Sequence, residues 1–267
     1  VSDLRVSQPS LPGTERITVP GRGPDALPPV VTEAPRPARP AVAIAIGLAM
    51  GRARIVRRAT LLTALLGAAL VAVAALIERR EGAAGAVDRT LAATFALVVP
   101  LVSFGITAEA TGRGGLRDAV WPAARYGVAR RDAALGTIVA AMAASAAAGV
   151  VFALLAVACA HGEGNPPLAR DAFTSAWIAA LTSAAYAAWF ALGATFGRRG
   201  GGRWVPLVLD FTVGGGTGVA AAALPRAHAV SLLGGAAPLG MAQAESSLLL
   251  IASAVVLAGL AAIRCRE

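Results

Sequence analysis

The sequence predicts an all-α polytopic membrane protein: six transmembrane helices, preceded by an interfacial amphipathic helix and a disordered N-terminal tail. Three observations predict it. Of the 267 residues, 57% are hydrophobic and only 15% charged, with a mean hydropathy of +0.68; a soluble domain carries about 45–50% apolar and about 25% charged residues. Six apolar runs are each long enough to cross ~30 Å of hydrocarbon at about 1.5 Å per residue. The basic residues are 24 arginines with no lysine, and beyond the tail they fall in the gaps between those runs.

Residues 1–40 hold Pro at high density among scattered Ser, Gly and Asp. Such a segment buries too little apolar surface to offset its ordering entropy and is expected to be a disordered tail. No cleavable leader is expected, because the first apolar run, Ala41–Met50, lies far from the start and its arginines follow it. Ten residues are too few to span. With Arg52, Arg54, Arg57 and Arg58 behind them, residues 41–58 read as a helix lying in the cytoplasmic interface, or as an N-terminal extension of the first span.

Residues 59–267 form the transmembrane domain, with spans at Ala59–Ile77, Thr90–Ala108, Ala133–Ala160, Ala172–Gly197, Trp204–Leu224 and Ser246–Ile263. The fifth is the least regular, since Asp210 and the run Gly214–Gly218 interrupt it. Alternate gaps differ in arginine content. One set carries fourteen (52, 54, 57, 58, 113, 117, 125, 130, 131, 198, 199, 203, 264, 266) and the other five (79, 80, 89, 170, 226). Arginine-rich gaps stay cytoplasmic, so both termini are expected inside. The expected location is the bacterial cytoplasmic (inner) membrane, multi-pass.

Composition excludes several chemistries. Without lysine there is no P-loop and no Schiff base. Cys159 and Cys265 are too few for a disulfide framework or a thiolate metal site. His161 and His228 lack partners at metal spacing, and no HExxH, GxSxG or paired-carboxylate motif occurs. No catalytic residue, bound cofactor or metal is therefore expected, and the chain is not read as an enzyme. A pI near 11.3 suggests nucleic acid only where the charges line a soluble face; here no nucleic-acid partner is expected.

Two features carry functional content. Asp210 is the one carboxylate well inside an apolar run, which reads either as a proton or substrate site or as a structural acid near the cytoplasmic interface paired with Arg203 or Arg199. Behind it, Gly214–Gly218 suits close helix packing or a broken helix. The stretch Ala220–Gln243 is apolar yet interrupted, consistent with a dip into the outer leaflet. The second feature is the gap Glu109–Asp132. Its 24 residues far exceed the roughly two to eight that join antiparallel helices. A short helix around Gly115–Ala124 is expected there, with Leu116, Val120 and Trp121 as apolar anchors for a soluble partner.

The chain resembles the permease subunits of ABC exporters of the type-2 class. The matching residues are Glu109, Gly115–Leu116, Pro122, Ala129–Arg130 and Gly136 around the cytoplasmic gap, the basic lead-in Gly51–Arg58, and the outer turn Leu224–Pro225 with His228–Gly234. It departs from the pattern at Gly114, at Thr137 and in the single acid at 109. The resemblance implies a transmembrane domain without its own ATPase and a second permease chain, as homodimer or heterodimer, in the lipid bilayer. It also implies a separate ABC ATPase subunit that uses the ATP and docks on a coupling loop containing Glu109, Gly115, Leu116, Trp121, Pro122 and Arg130. A secondary transporter using Asp210, a membrane biogenesis scaffold and an intramembrane enzyme are the alternatives.

Overall fold

The computed structural model describes residues 38–81, 85–162 and 165–266. The expected tail falls, but for its last three residues, outside the described residues. Among the described residues every regular element is helical, and five helices are long and apolar enough to cross a membrane. These are α2 (Arg58–Arg80), a composite rod continued from Ala86, α6 (Arg130–Ala160), α7 (Leu168–Gly193) and α11 (Gln243–Arg264).

The composite rod is α3 (Ala86–Ala93), a π turn at Thr94–Val98 and α4 (Val99–Thr111). Pro100 explains the widened turn. It has no N–H for the carbonyl one turn back, and its ring crowds that carbonyl. The ladder shifts by one, with the Val99 N–H reaching the carbonyl of Thr94.

Helices α6 and α7 form the centre, and α6 also touches α1 (Pro40–Ile55), α2, α4 and α11. In lipid no hydrophobic gain draws helices together, so close van der Waals approach of small residues must do it. The buried faces reflect this: Ala133, Ala134, Gly136, Ala140, Ser145 and Gly149 on α6, and Ala179, Ser183 and Ala187 on α7. A Cβ at Gly149 would collide with the Ser183 hydroxyl.

The first correction concerns α1. It is neither an extension of α2, from which bends at Val56 and Arg57 separate it, nor amphipathic. From Pro40 to Gly51 it has no polar side chain, so its exposed face is apolar too. Instead a stripe of Ala43, Gly47, Gly51 and Ile55 packs on the first three turns of α6. A Cβ at Gly47 would overlap the Ala133 carbonyl, and one at Gly136 the Ile44 carbonyl. Thr137 Oγ1 donates across the seam to the Gly47 carbonyl at 3.2 Å.

The second correction concerns the fifth expected span. Trp204–Leu224 is not one helix. It consists of α8 (Trp204–Val213), a turn through the glycine run, and α9 (Val219–Ala222); α10 (Pro225–Leu232) follows. The ten residues of α8 cover only about 15 Å. Five consecutive residues with three adjacent glycines cannot sustain the helical ladder against their backbone entropy.

Candidate functional site at the arginine-rich end

Helix α4 ends at Gly112, whose φ is +68°, and α5 (Leu116–Ala124) starts after Gly115, whose φ is +90°. The expected short helix around 115–124 is present. Both glycines sit in the left-handed region that L side chains resist. At Gly115 space is also short: an added Cβ would come within 2.7 Å of the Ala194 carbonyl and 3.0 Å of Gly200 Cα. The backbone at Gly115 thus rests on the connector after α7, which holds the 3-10 turn Arg198–Arg203.

Two guanidinium groups fasten this joint. Arg54 at the end of α1 donates to the carbonyls of Ala110 (3.2 Å) and Ala119 (2.7 Å), tying α1 to α4 and α5. Arg203 donates to Gly112 at 3.0 Å, Ala108 at 3.4 Å and, within its own turn, Gly200 at 2.9 Å. The last carbonyls of α4 have no helical partner and carry the negative end of the macrodipole, so cations are the fitting caps. Burial lowers both guanidinium pKa values, with Arg57 adding to the effect at Arg54. No sequence motif marks either residue as a cap; Arg54 reads as one of the arginines between apolar runs, and Arg203 as a possible partner of Asp210.

The predicted site residues divide. Glu109 faces Arg57 at 3.9 Å, an exposed pair at the joint. Gly115 serves the turn. Leu116 and Val120 are fully buried with Ala123, Val128, Ala133 and Ala134, which corrects their reading as partner anchors. They glue α5 onto α6 because residues four apart share one helix face. The opposite face carries Arg117, Asp118, Trp121, Pro122 and Arg125, and Trp121 is 48% exposed. The Arg125 guanidinium lies 4.5 Å from the Trp121 ring centroid. Tyr126 beyond it is 82% exposed. Arg130 joins Trp121, Arg125, Arg131, Asp132 and Arg266 around an open cavity of about 600 Å³.

The arginine-rich end also gathers Cys265, whose thiol is pushed up to about 11 by burial against the opposing pull of Arg117, Arg130 and Arg264. Among the described residues no cluster of His, Cys, Asp and Glu is arranged to hold a metal.

Asp210 lies elsewhere. It is 1% exposed on α8, and its Oδ2 accepts a hydrogen bond from the Tyr186 hydroxyl at 2.9 Å. Neither Arg203 nor Arg199 is its partner: Arg203 is occupied with carbonyls, and the tyrosine that does pair with it lies 24 residues away on another helix. Asp210 Oδ1 has no hydrogen-bond partner. A row of rings leads away from Tyr186, through Phe190 (5.8 Å) and Phe104 (5.4 Å) to Trp204 (4.5 Å) at the arginine-rich end.

No family model, curated protein or solved structure matches this chain.

Proposed function

We propose that the chain is the membrane-spanning permease subunit of an ATP-driven exporter of the ABC type-2 class, coupled through α5 to a separate ATPase. In this reading the pieces α8 to α10 complete a sixth crossing, both termini are cytoplasmic, and a second permease chain completes the pathway. The observation that carries it is α5 itself. It is a nine-residue helix held rigidly by Leu116, Val120 and Arg54, yet it turns Trp121 and Pro122 outward among arginines. A connector needs neither the rigid seat nor the exposed ring. A push on α5 passes through Arg54 to α1 and through the Gly115–Gly200 contact to α8, so the joint can move several helices together.

The test is Trp121→Asp in the chain co-expressed with a nucleotide-binding ATPase subunit. Membrane level and melting temperature stay within error of the parent, because the side chain touches little of the core. Co-purification and substrate-stimulated hydrolysis fall about 30-fold, the loss of a central aromatic anchor worth ~2 kcal/mol. Unchanged stimulated hydrolysis sinks the reading. Leu116→Asp is unsuitable as a test, since it buries a charge in the chain's own core.

The unpartnered Oδ1 of Asp210 favours a second reading, ion-coupled transport. Asp210→Asn decides between them. Export that collapses with an uncoupler in the parent, but not in this variant, establishes the second; the first expects no uncoupler effect beyond ATP depletion in either.

A further inference from the structure

Two apolar cavities lie end to end along α7 and share Trp189. One, about 390 Å³, opens at the arginine-rich end between α7 and α8, walled by Leu192, Phe196, Val205 and Pro206. The other, about 360 Å³, continues between α9–α10 and α11, walled by Leu224, Leu249, Ala252 and Val256. The residues on α7 recur at 189, 192 and 193, with Phe196 just beyond its end, and those on α11 at 249, 252, 253 and 256, so each side gives one continuous stripe to the groove. No acidic residue lines either cavity.

The groove's chemistry is asymmetric. A small-molecule site brings a few polar groups together in an apolar pocket, whereas here the first cavity is apolar throughout. The polar groups of the second are Ser253, which already donates to the Leu250 carbonyl, and His228, whose Nε2 is bonded to the Ala222 carbonyl and whose Nδ1 has no partner. Cations stand beside the first cavity: the Arg264 guanidinium lies 4.0 Å from the centroid of Phe196, a wall residue, and the exposed Arg198 follows two residues on in the chain. An apolar slot opening under arginines at the membrane surface matches an amphiphile with an anionic head. We propose that the groove seats one acyl chain of an anionic phospholipid, with Arg264 and Arg198 holding the phosphate and Trp189 against the chain. The inference rests on membrane residence alone, not on ATPase coupling.

The test is fluorescence quenching in nanodiscs on the full chain carrying Trp121→Phe, Trp177→Phe and Trp204→Phe, which leaves Trp189. Phosphatidylglycerol with a brominated chain is compared with phosphatidylcholine carrying the same chain. Half-quenching by the anionic lipid is expected at about fivefold lower mole fraction, the preference of roughly one surface arginine. Arg264→Gln abolishes the preference, Arg264→Lys keeps most of it, and Ala252→Phe weakens quenching by both lipids. Equal quenching by the two lipids means ordinary solvating lipid and overturns the proposal. So does an undiminished preference in Arg264→Gln, or a Trp189 that neither lipid quenches, as when a second copy covers the groove. A chain that does not reside in the bilayer is recognised separately: in a variant carrying Trp121→Phe, Trp189→Phe and Trp204→Phe, the remaining Trp177, 52% exposed on α7, would then also escape quenching. If the triple variant misfolds, native mass spectrometry of the parent and Arg264→Gln gives the same reading from the retained anionic lipid.

Discussion

Arg54 and Arg203 approach the end of α4 from two sides and satisfy the carbonyls of Ala108, Ala110 and Gly112 there, Arg54 reaching also the Ala119 carbonyl of α5. Removing one leaves part-buried acceptors without these donors, at about 1 kcal/mol or more. Arg54→Gln is expected to lower the melting temperature in detergent and to raise amide hydrogen exchange in 116–124 while leaving α7 unchanged. Equal exchange in both segments would show the clamp to be ornamental. Cys265 offers a pH-dependent probe of the same end. Only the thiolate reacts with maleimide, and with a pKa near 11 the rate should climb about tenfold per pH unit from 7 to 10. A thiol of ordinary pKa levels off near 8.5–9. The sign for stability follows: the folded state disfavours the thiolate, so the contribution is intact below the ordinary thiol value. It is lost as pH rises from about 9 toward 11. A plateau in the labelling rate below pH 9 would show the site to be open.

At the scale of elements, the seam between α1 and α6 has no slack. Gly47→Val must push α1 off the Ala133 carbonyl, costing about 1–3 kcal/mol as overpacking does, whereas Ala45→Val on the exposed face should cost little. Thermal unfolding of the two variants in the same detergent checks this, and equal melting temperatures would mean that α1 does not pack there. Glycine in α1 reads in the sequence as a helix weakener; only its neighbour, the backbone of α6, turns it into a contact residue. Pro100 and the π turn show the converse, a local chemical cause with a local effect. The Gly214–Gly218 break was legible as an interruption, but the way α9 and α10 fold back beside α7 and α11 depends on contacts such as Ser246 with Ser231 (3.3 Å) and Gln243 with the Ser231 carbonyl (3.3 Å).

At the scale of the molecule, the arginine asymmetry predicts which end faces the cytoplasm. With both native cysteines replaced by alanine, Tyr126→Cys should resist an impermeant maleimide applied to intact cells, and Ala169→Cys should react. Both positions are exposed in the chain, so protection reports the membrane rather than burial. Labelling of position 126 from outside would overturn the orientation. By itself the sequence determined that the chain is helical and apolar, where five long helices run, and that α5 exists between two glycines. Hydropathy, glycine placement and charge are local quantities that act before any packing. Only the tertiary structure decided that Leu116 and Val120 face inward, that Tyr186 rather than Arg203 or Arg199 meets Asp210, that α1 packs on α6, and that Arg54 and Arg203 cap α4. Each of these depends on which surface two distant segments present to one another, and a composition of alanine, leucine, valine and glycine leaves that choice to shape.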